Sequence, residues 1–409
     1  MRFGLIGWPL GHSFSEKIHR MLGNGEYRLY PLRAEELDAF LRRPDLGGLN
    51  VTIPYKQAVL PYCGSLSPAA RGIGCVNVLR FTKDGIAGDN TDAEGLRFLA
   101  GRAGVSLQNR KVVILGTGGT SKTAAWCAAQ AGAAQIVKIS RSGPEHYGNI
   151  ARHRDADVLI NTTPVGMYPD NGETPVDLDV FDGLSGVLDV VYNPLRTALV
   201  LQARERGIPS GGGLPMLAMQ AVAADRLFFD RKADEEAEKA AAERILQALE
   251  QELENVVLIG MPGCGKSRIG RAVAEKLGRR FVDLDQAVTQ SCGRTPAQII
   301  TQDGEEAFRE AETAQVNRMA KETGLVIACG GGTVLRVENV RALRQNGRLC
   351  WLRRGLSALA TEDRPLSGDL QALYQRRRPF YEAAADFCVD NDGAPEAAAG
   401  QVADLFLKR

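Results

Sequence analysis

Residues Gly260 to Ser267 read GMPGCGKS, a fit to the pattern GxxxxGK(S/T). Glycines in such a loop let backbone N–H groups turn inward around phosphate oxygens, and the helix that follows adds its dipole. Gly260, Gly263 and Gly265 form the cradle. Lys266 is placed to reach the β- and γ-phosphates, and the Ser267 hydroxyl to ligate Mg²⁺. That chemistry is phosphoryl transfer from ATP. A second glycine turn, GTGGTS, starts at Gly116 and follows the apolar run Lys111 to Leu115. Gly116, Gly118 and Gly119 are its positions for close approach to a dinucleotide. The next apolar run, Gln135 to Ile139, ends in Ser140 and Arg141 rather than in a carboxylate. With no acid to bond a ribose 2′-hydroxyl, and a guanidinium where a 2′-phosphate would sit, NADP(H) is favoured over NAD(H). The alternative for Arg141 is a surface arginine in a turn.

Further polar residues sit in short motifs. GHSFS carries Ser13 and Ser15. NVTIPYK carries Asn50, Thr52 and Lys56 at the end of a strand. GCVN carries Asn77, and GDNTD carries Asn90, Thr91 and Asp92. Later come NTTPVGM at Asn161 to Met167, Tyr192 in DVVYNPLRT, and GGGLPMLAMQA with Gly213, Met216 and Gln220. Beyond the phosphate loop, FVDLD puts Asp283 and Asp285 at i,i+2, both on one side at the end of a strand. GEEAFREAE holds Arg309 and Glu312. VIACGGG ends a strand in Gly330, Gly331 and Gly332. RPL begins at Arg364, and RRRPFYEAAAD includes Arg377.

The elements that must position these groups alternate short apolar runs with helical stretches. Lys111–Leu115, Gln135–Ile139, Val158–Ile160 and Gly186–Val191 have the rhythm of a parallel sheet covered by helices. Val256–Ile259 starts the rhythm again. Between the two halves, Asp230 to Glu254 is rich in Ala, Glu, Lys and Arg, without Gly or Pro, and reads as a helical linker. Ile245, Leu246, Leu249 and Leu253 share a face, so the linker docks by its last turns. At 409 residues the chain suits two or three domains. The formal net charge of +1 gives no bulk attraction for nucleic acid. The eight cysteines have no C-x-x-C spacing, no apolar run is long enough to span a bilayer, and the start lacks a signal peptide's apolar core. The expectation is a soluble cytoplasmic protein that binds no nucleic acid or membrane.

In order and spacing, the motifs of residues 255–409 resemble shikimate kinase. The resemblance implies that Asp285 binds the acceptor hydroxyl and acts as, or positions, the base. Asp283 would lie near the Mg²⁺ shell. Arg309 and Arg377 would hold the substrate carboxylate beside Gly330, Gly331 and Gly332. Glu312 would accept from a ring hydroxyl or orient Arg309, and Arg364 would close over the transferring phosphate from a short lid. Residues 1 to about 230 resemble shikimate dehydrogenase, most specifically in NVTIPYK and GDNTD. That resemblance implies a substrate pocket lined by Ser13, Ser15, Thr52, Asn77, Asp92 and Gln220. Lys56 and Asp92 would be the catalytic pair, Tyr192 would close the site, and Gly213 and Met216 would border the nicotinamide. The implied fold is α/β throughout. A substrate domain over 1–97 is completed by a helix over 214–229. A Rossmann-like NADP domain covers 98–213, the linker 230–254, and a P-loop kinase with a parallel sheet 255–409. The implied function is NADPH-dependent reduction of 3-dehydroshikimate to shikimate, followed by ATP-dependent phosphorylation of its 3-hydroxyl. A quinate-preferring dehydrogenase fused to the kinase, or a catalytically silent metabolite sensor, are the alternatives.

Overall fold

The computed structural model describes residues 1–11, 13–359 and 370–408. Two units form. The first comprises Met1–Met167, Glu173–Asn193 and Gln202–Ala248; the second comprises Tyr168–Gly172, Pro194–Leu201 and Leu249–Arg409.

The first unit holds two sheets. One contains β1 (Arg2–Gly7), β2 (Tyr27–Pro31), β3 (Leu46–Val51), β4 (Ser65–Leu66), β5 (Val78–Thr82) and β6 (Gly85–Asp89) in the order β2-β1-β3-β5-β6-β4. β1 pairs parallel with β2 and β3, whereas β5 is antiparallel to β3 and β6. The helix Leu214–Phe228 lies on one face of this sheet, where Ala224 and Phe228 pack with Phe3, Leu5, Tyr27 and Val78. It is apolar on nearly every side, which suits a helix buried between sheet and helices. A neighbouring helix, Asp92–Arg102, packs along it, and the absence of a side chain at Gly95 admits the Met216 carbonyl.

The second sheet contains β7 (Lys111–Leu115), β8 (Gln135–Ile139), β9 (Val158–Asn161), β10 (Gly186–Asp189) and β11 (Ser210–Gly211) in the order β11-β10-β9-β7-β8, parallel at every pairing. β7 runs through the glycine turn into the helix Gly119–Gln130. The expected strand to Val191 stops at Asp189, because the Asp189 side chain captures the Val191 N–H at 3.0 Å and turns the chain out of the ladder.

The second unit carries β12 (Asn255–Ile259), β13 (Arg280–Asp283), β14 (Leu325–Ala328), β15 (Gly347–Arg353) and β16 (Phe387–Asp390) in the order β13-β14-β12-β15-β16, again parallel. Three expectations change here. Asp285 is not at the strand end; β13 stops at Asp283, which caps the helix Leu284–Cys292 by accepting from the Asp285 and Gln286 N–H groups. β14 ends at Ala328, so the three glycines form the loop after it. The linker helix begins only at Glu235, with Asp234 accepting the Ala237 N–H at 3.0 Å in the manner of a cap, and runs to Leu253. Its buried residues include Ile245, Leu246, Leu249 and Leu253.

Segment Pro194–Leu201, read in sequence as part of the nucleotide domain, groups with the second unit. Arg196 explains it. The guanidinium donates to Glu254 Oε1 at 2.7 Å and to the carbonyls of Arg344 and Gly347.

In the first unit the sheet–helix spacing is set at Gly48 on β3. A Cβ there would lie 2.2 Å from the Phe228 ring. Gly48→Ala is expected to destabilise the protein by about 1–3 kcal/mol through overpacking. Urea unfolding checks this, and Phe228→Leu should restore part of the loss.

Candidate active sites

Lys56 follows the end of β3, and its Nζ lies 2.5 Å from Oδ2 of Asp92 at the start of the helix Asp92–Arg102. The two side chains are only 18% and 9% exposed, so the pair sits in a largely dry cleft. Asn77 donates from Nδ2 to the other Asp92 oxygen at 3.0 Å, and its own Oδ1 accepts the Thr91 N–H at 2.7 Å. The carboxylate is thereby fixed from two sides. The nucleotide turn closes on the same cleft: a Cβ at Gly119 would lie 3.7 Å from Lys56 Cδ. Gly116 adopts φ +106°, which only glycine takes readily, and its carbonyl accepts from Ser121 Oγ at 2.7 Å.

Around this pair the other expected residues divide. Ser13 Oγ accepts the Ser15 N–H at 3.2 Å, and the ring of Phe14 between them lies 5.8 Å from that of Tyr192. Burial raises the pKa of the Tyr192 hydroxyl, so it stays a neutral donor. Thr52 is half-buried. Gln220 is nearly buried, its amide donating to the Leu217 carbonyl at 3.0 Å. Gly213 donates its N–H to Val191, and Met216 is a core residue. Arg141 is exposed in the turn after β8. Asn50 is the exception among the motif polar groups. It is buried inside the substrate sheet, bonded to Tyr27 and close to His19.

In the second unit the loop Gly260 to Ser267 joins β12 to the helix Lys266–Leu277. Gly260, Gly263 and Gly265 all take positive φ. Lys266 Nζ folds back to the carbonyls of Gly260 and Met261, both at 2.9 Å. Ser267 Oγ donates to Asp283 Oδ2 at 2.5 Å. Facing this loop, Arg309 donates to Glu312 at 2.8 Å and to Glu305 at 3.0 Å. Arg309 is 7% exposed and Glu312 fully buried. Burial alone would lower the Arg309 pKa, but the Glu312 and Glu305 carboxylates together more than offset it and the guanidinium is held charged. The triple glycine makes this packing possible. A Cβ at Gly332 would lie 2.3 Å from Arg309, one at Gly331 would lie 2.6 Å from Pro262, and one at Gly330 would lie 2.4 Å from Glu312 and 3.2 Å from Asp285. Asp285, Glu312 and Arg309 therefore converge on one backbone loop. Arg377, 2% exposed, has its pKa lowered by burial and further by the charge of Arg309. Its Nε has no hydrogen-bond partner among the described residues. Two buried guanidiniums in electrostatic reach, one with an unused donor, fit an anionic ligand. Arg364 lies outside the described residues.

These arrangements match known families. The model of the shikimate dehydrogenase substrate binding domain matches residues 5–79, and that of shikimate kinase matches residues 262–407. A shikimate dehydrogenase (NADP(+)) of Methanopyrus kandleri is 37% identical over 270 residues, covering 58% of this chain and 93% of the relative. The chain belongs to the shikimate dehydrogenase family. Its carboxy-terminal part is a shikimate kinase domain, so the whole is a fusion. Among solved structures, the chorismate mutase/shikimate 5-dehydrogenase fusion protein from Clostridium acetobutylicum is 35% identical with TM-score 0.57, covering 61% of this chain and 97% of that one. Shikimate 5-dehydrogenase of Thermus thermophilus in complex with NADP(H) and shikimate is 29% identical with TM-score 0.53, covering 60% and 99%.

Sequence reasoning missed two residues that hold this cluster in place. Thr333 Oγ1 donates to Glu312 Oε1 at 2.6 Å and fixes the carboxylate that holds Arg309. Tyr381 donates to the Gly331 carbonyl at 2.5 Å from one helical turn beyond Arg377. The signal for both was adjacency: Thr333 follows the glycines directly, and Tyr381 is at i+4 from Arg377. The nucleotide fits the positive-φ cradle. An Mg²⁺ fits beside Ser267 and Asp283, whose hydroxyl and carboxylate are the hard oxygen donors it needs alongside phosphate. NADP(H) fits the glycine turn at Gly116 to Gly119, where a Cβ at Gly118 would meet nothing within 4 Å.

Because Glu312 is the fully buried counter-charge of Arg309, Glu312→Ala should cost about 3–5 kcal/mol, the penalty of breaking a buried pair and leaving the guanidinium only the exposed Glu305 carboxylate. Calorimetry of the kinase transition reads this directly; Glu305→Ala, at the exposed end of the same cluster, should cost under about 1 kcal/mol.

Proposed function

We propose that the dehydrogenase part reduces 3-dehydroshikimate to shikimate with NADPH, and that the kinase part phosphorylates the 3-hydroxyl of shikimate with ATP. The observation that carries this reading is that both sites retain their charged groups in a state to act. Lys56 is paired with an Asp92 anchored by Asn77, Arg309 is buried against the glycine loop that Asp285 also approaches, and Arg377 is buried within electrostatic reach of Arg309. A metabolite sensor has no need of a lysine–aspartate pair held at 2.5 Å beside a nucleotide turn.

NADPH supplies the hydride for the carbonyl carbon. Lys56 supplies the proton that the carbonyl oxygen takes up, and Asp92 keeps the ammonium oriented and stabilised. Ser13, Ser15, Thr52, Asn77 and Gln220 provide the hydroxyls and amides that a hydroxylated ring acid requires, with Tyr192 over them. Arg141 is assigned to the 2′-phosphate of the nucleotide. In the kinase, ATP supplies the phosphoryl group. Asp285 takes or orients the acceptor hydroxyl proton. Arg309 and Arg377 hold the ring carboxylate as charge-assisted forks. Lys266 leaves the Gly260 and Met261 carbonyls for the phosphates, and Ser267 and Asp283 hold the Mg²⁺. Arg364 is assigned to the transferring phosphate. The domain boundaries that go with this reading are 1–97 with 214–229, 98–213, 230–254 and 255–409. A cytoplasmic setting suits the eight free cysteines, of which burial pushes Cys127 up to about 12.

Purified protein should oxidise shikimate with NADP⁺ and release ADP from ATP only when shikimate is present. Lys56→Ala should lower the dehydrogenase kcat by about 10²–10⁴-fold while sparing the kinase. Asp285→Asn should do the converse. A kcat/KM for quinate above that for shikimate would overturn the substrate assignment, and absence of both reactions would overturn the enzyme reading.

A further inference from the structure

Two segments that chain order gives to the nucleotide domain, Tyr168–Gly172 and Pro194–Leu201, belong to the second unit. Each continues a loop that leaves the carboxyl end of a strand in the nucleotide sheet. The first follows β9 and the second follows β10. The roots of these loops are tied to one another. Asn161 Nδ2 donates to Asp189 Oδ1 at 3.0 Å, and the Val190 N–H donates to the Asn161 carbonyl at 3.0 Å. Their far ends meet one place in the kinase part, the end of the helix Val337–Asn346.

That helix end needs partners. Gly347 leaves it in extended conformation, φ −130° and ψ 158°, so no left-handed turn brings N–H groups back to the last carbonyls. Arg196 supplies the missing donors. Its Nε donates to the Arg344 carbonyl at 2.6 Å, its backbone N–H to the Gln345 carbonyl at 2.9 Å, and its Nη2 to the Gly347 carbonyl at 2.9 Å. The helix dipole also favours a cation at this end. Glu254, 1% exposed, accepts from Nη1 at 2.7 Å and is the counter-charge.

The helix end holds the two segments in return. Asn346 Oδ1 accepts the Leu195 N–H at 2.9 Å, and Gln345 Nε2 donates to the Asn171 carbonyl at 2.5 Å. Asn346 is fully buried and Gln345 is 5% exposed. Losing either bond would strand a buried polar group, which a surface ion pair does not do. Each loop is therefore fixed twice, at its root by the nucleotide sheet and at its far end by the kinase part. Tyr192 lies between the two fixed points of the second loop, three residues before Leu195.

We propose that Gln345 and Asn346, on the kinase side of this joint, are positioning residues of the dehydrogenase, holding the loops after β9 and β10 in the shape that binds ligand. In an open parallel sheet the ligand crevice lies outside the carboxyl ends of the strands, where both loops begin. A loop released at its far end must be re-formed when ligand binds. Apparent affinity then falls by the fraction of protein that has the right shape, while the saturated complex is unaltered. The dependence belongs in KM and not in kcat. Its kinetic half rests on the dehydrogenase reading given above; the ordering of the loops does not.

Hydrogen exchange and kinetics on the full chain test it. Asn346→Ala should speed amide exchange in residues 190–197 by about five- to tenfold, and Gln345→Ala should do so in residues 168–172, the worth of one buried hydrogen bond each. Protection of β3 and of the helix Asp92–Arg102 should be unchanged. Each variant should raise a dehydrogenase KM, for shikimate or for NADP⁺, by about two- to tenfold, with kcat within about twofold. The kinase KM values for ATP and shikimate should also stay within about twofold. Faster loop exchange with both dehydrogenase KM values unchanged would make the joint a structural contact only and overturn the proposal. Unchanged loop exchange overturns it as well. If Asn346→Ala does not fold, Gln345→Ala decides by the same criteria. Wild-type protein that fails to oxidise shikimate would refute the functional reading instead, and the exchange pattern alone would then decide the joint.

Discussion

A guanidinium taken out of water must be given a counter-charge, and much of the kinase site follows from meeting that need at Arg309. Glu312 supplies the charge from the same helix, three residues on. A buried carboxylate then needs donors of its own, and Thr333 provides one. Thr333 can reach only because the chain after β14 passes close by, and that approach requires glycine where Glu312 and Arg309 press against the backbone. The triple glycine therefore makes room for protein charges before it makes room for any substrate. Arg377 is left differently. It is buried, its charge is disfavoured by that burial and by Arg309, and its Nε lacks a partner among the described residues. Fully satisfied charge on one side and unsatisfied charge on the other is the asymmetry that an anion-binding pocket needs.

The dehydrogenase site meets the same constraint with a shorter cast. Lys56 and Asp92 neutralise each other, and Asn77 takes the remaining carboxylate oxygen while tying itself to the backbone at Thr91. The three come from separate motifs, and antiparallel pairing of β3, β5 and β6 brings their ends together. A Cβ at Gly119 would lie 3.7 Å from Lys56 Cδ, so the glycine turn and the Lys56–Asp92 pair stand side by side in the fold.

How far the sequence carried depended on whether a role was written locally. The phosphate loop was legible because its glycines, lysine and serine are consecutive and each has a stated geometric task. The parallel strands were legible as apolar runs, although β10 ended early and Asp285 moved from strand to helix, because a side chain at Asp189 or Asp283 captured backbone N–H groups. Such captures are single hydrogen bonds that leave the apolar pattern unchanged. Thr333 and Tyr381 were marked only by their adjacency to the glycines and to Arg377, since their partners lie elsewhere in the fold and neither residue type is unusual. Arg196 was invisible for the same reason, its partners being Glu254 and the carbonyls of Arg344 and Gly347.

Asn50 gives the clearest instance of a motif residue whose meaning the motif conceals. NVTIPYK suggests that its polar members share a task, and strand alternation puts Asn50 and Thr52 on one face. Yet β3 is buried along its whole length, and Asn50 lies below its end rather than beyond it. There an amide must serve Tyr27 and His19 together, which an aspartate could not do without adding charge and a leucine could not do at all. Asn50, still within β3, and Thr52, just beyond its end, thus meet different surroundings although they are two positions apart. What separates them is only whether the chain has left the sheet, and spacing along the chain does not carry that information.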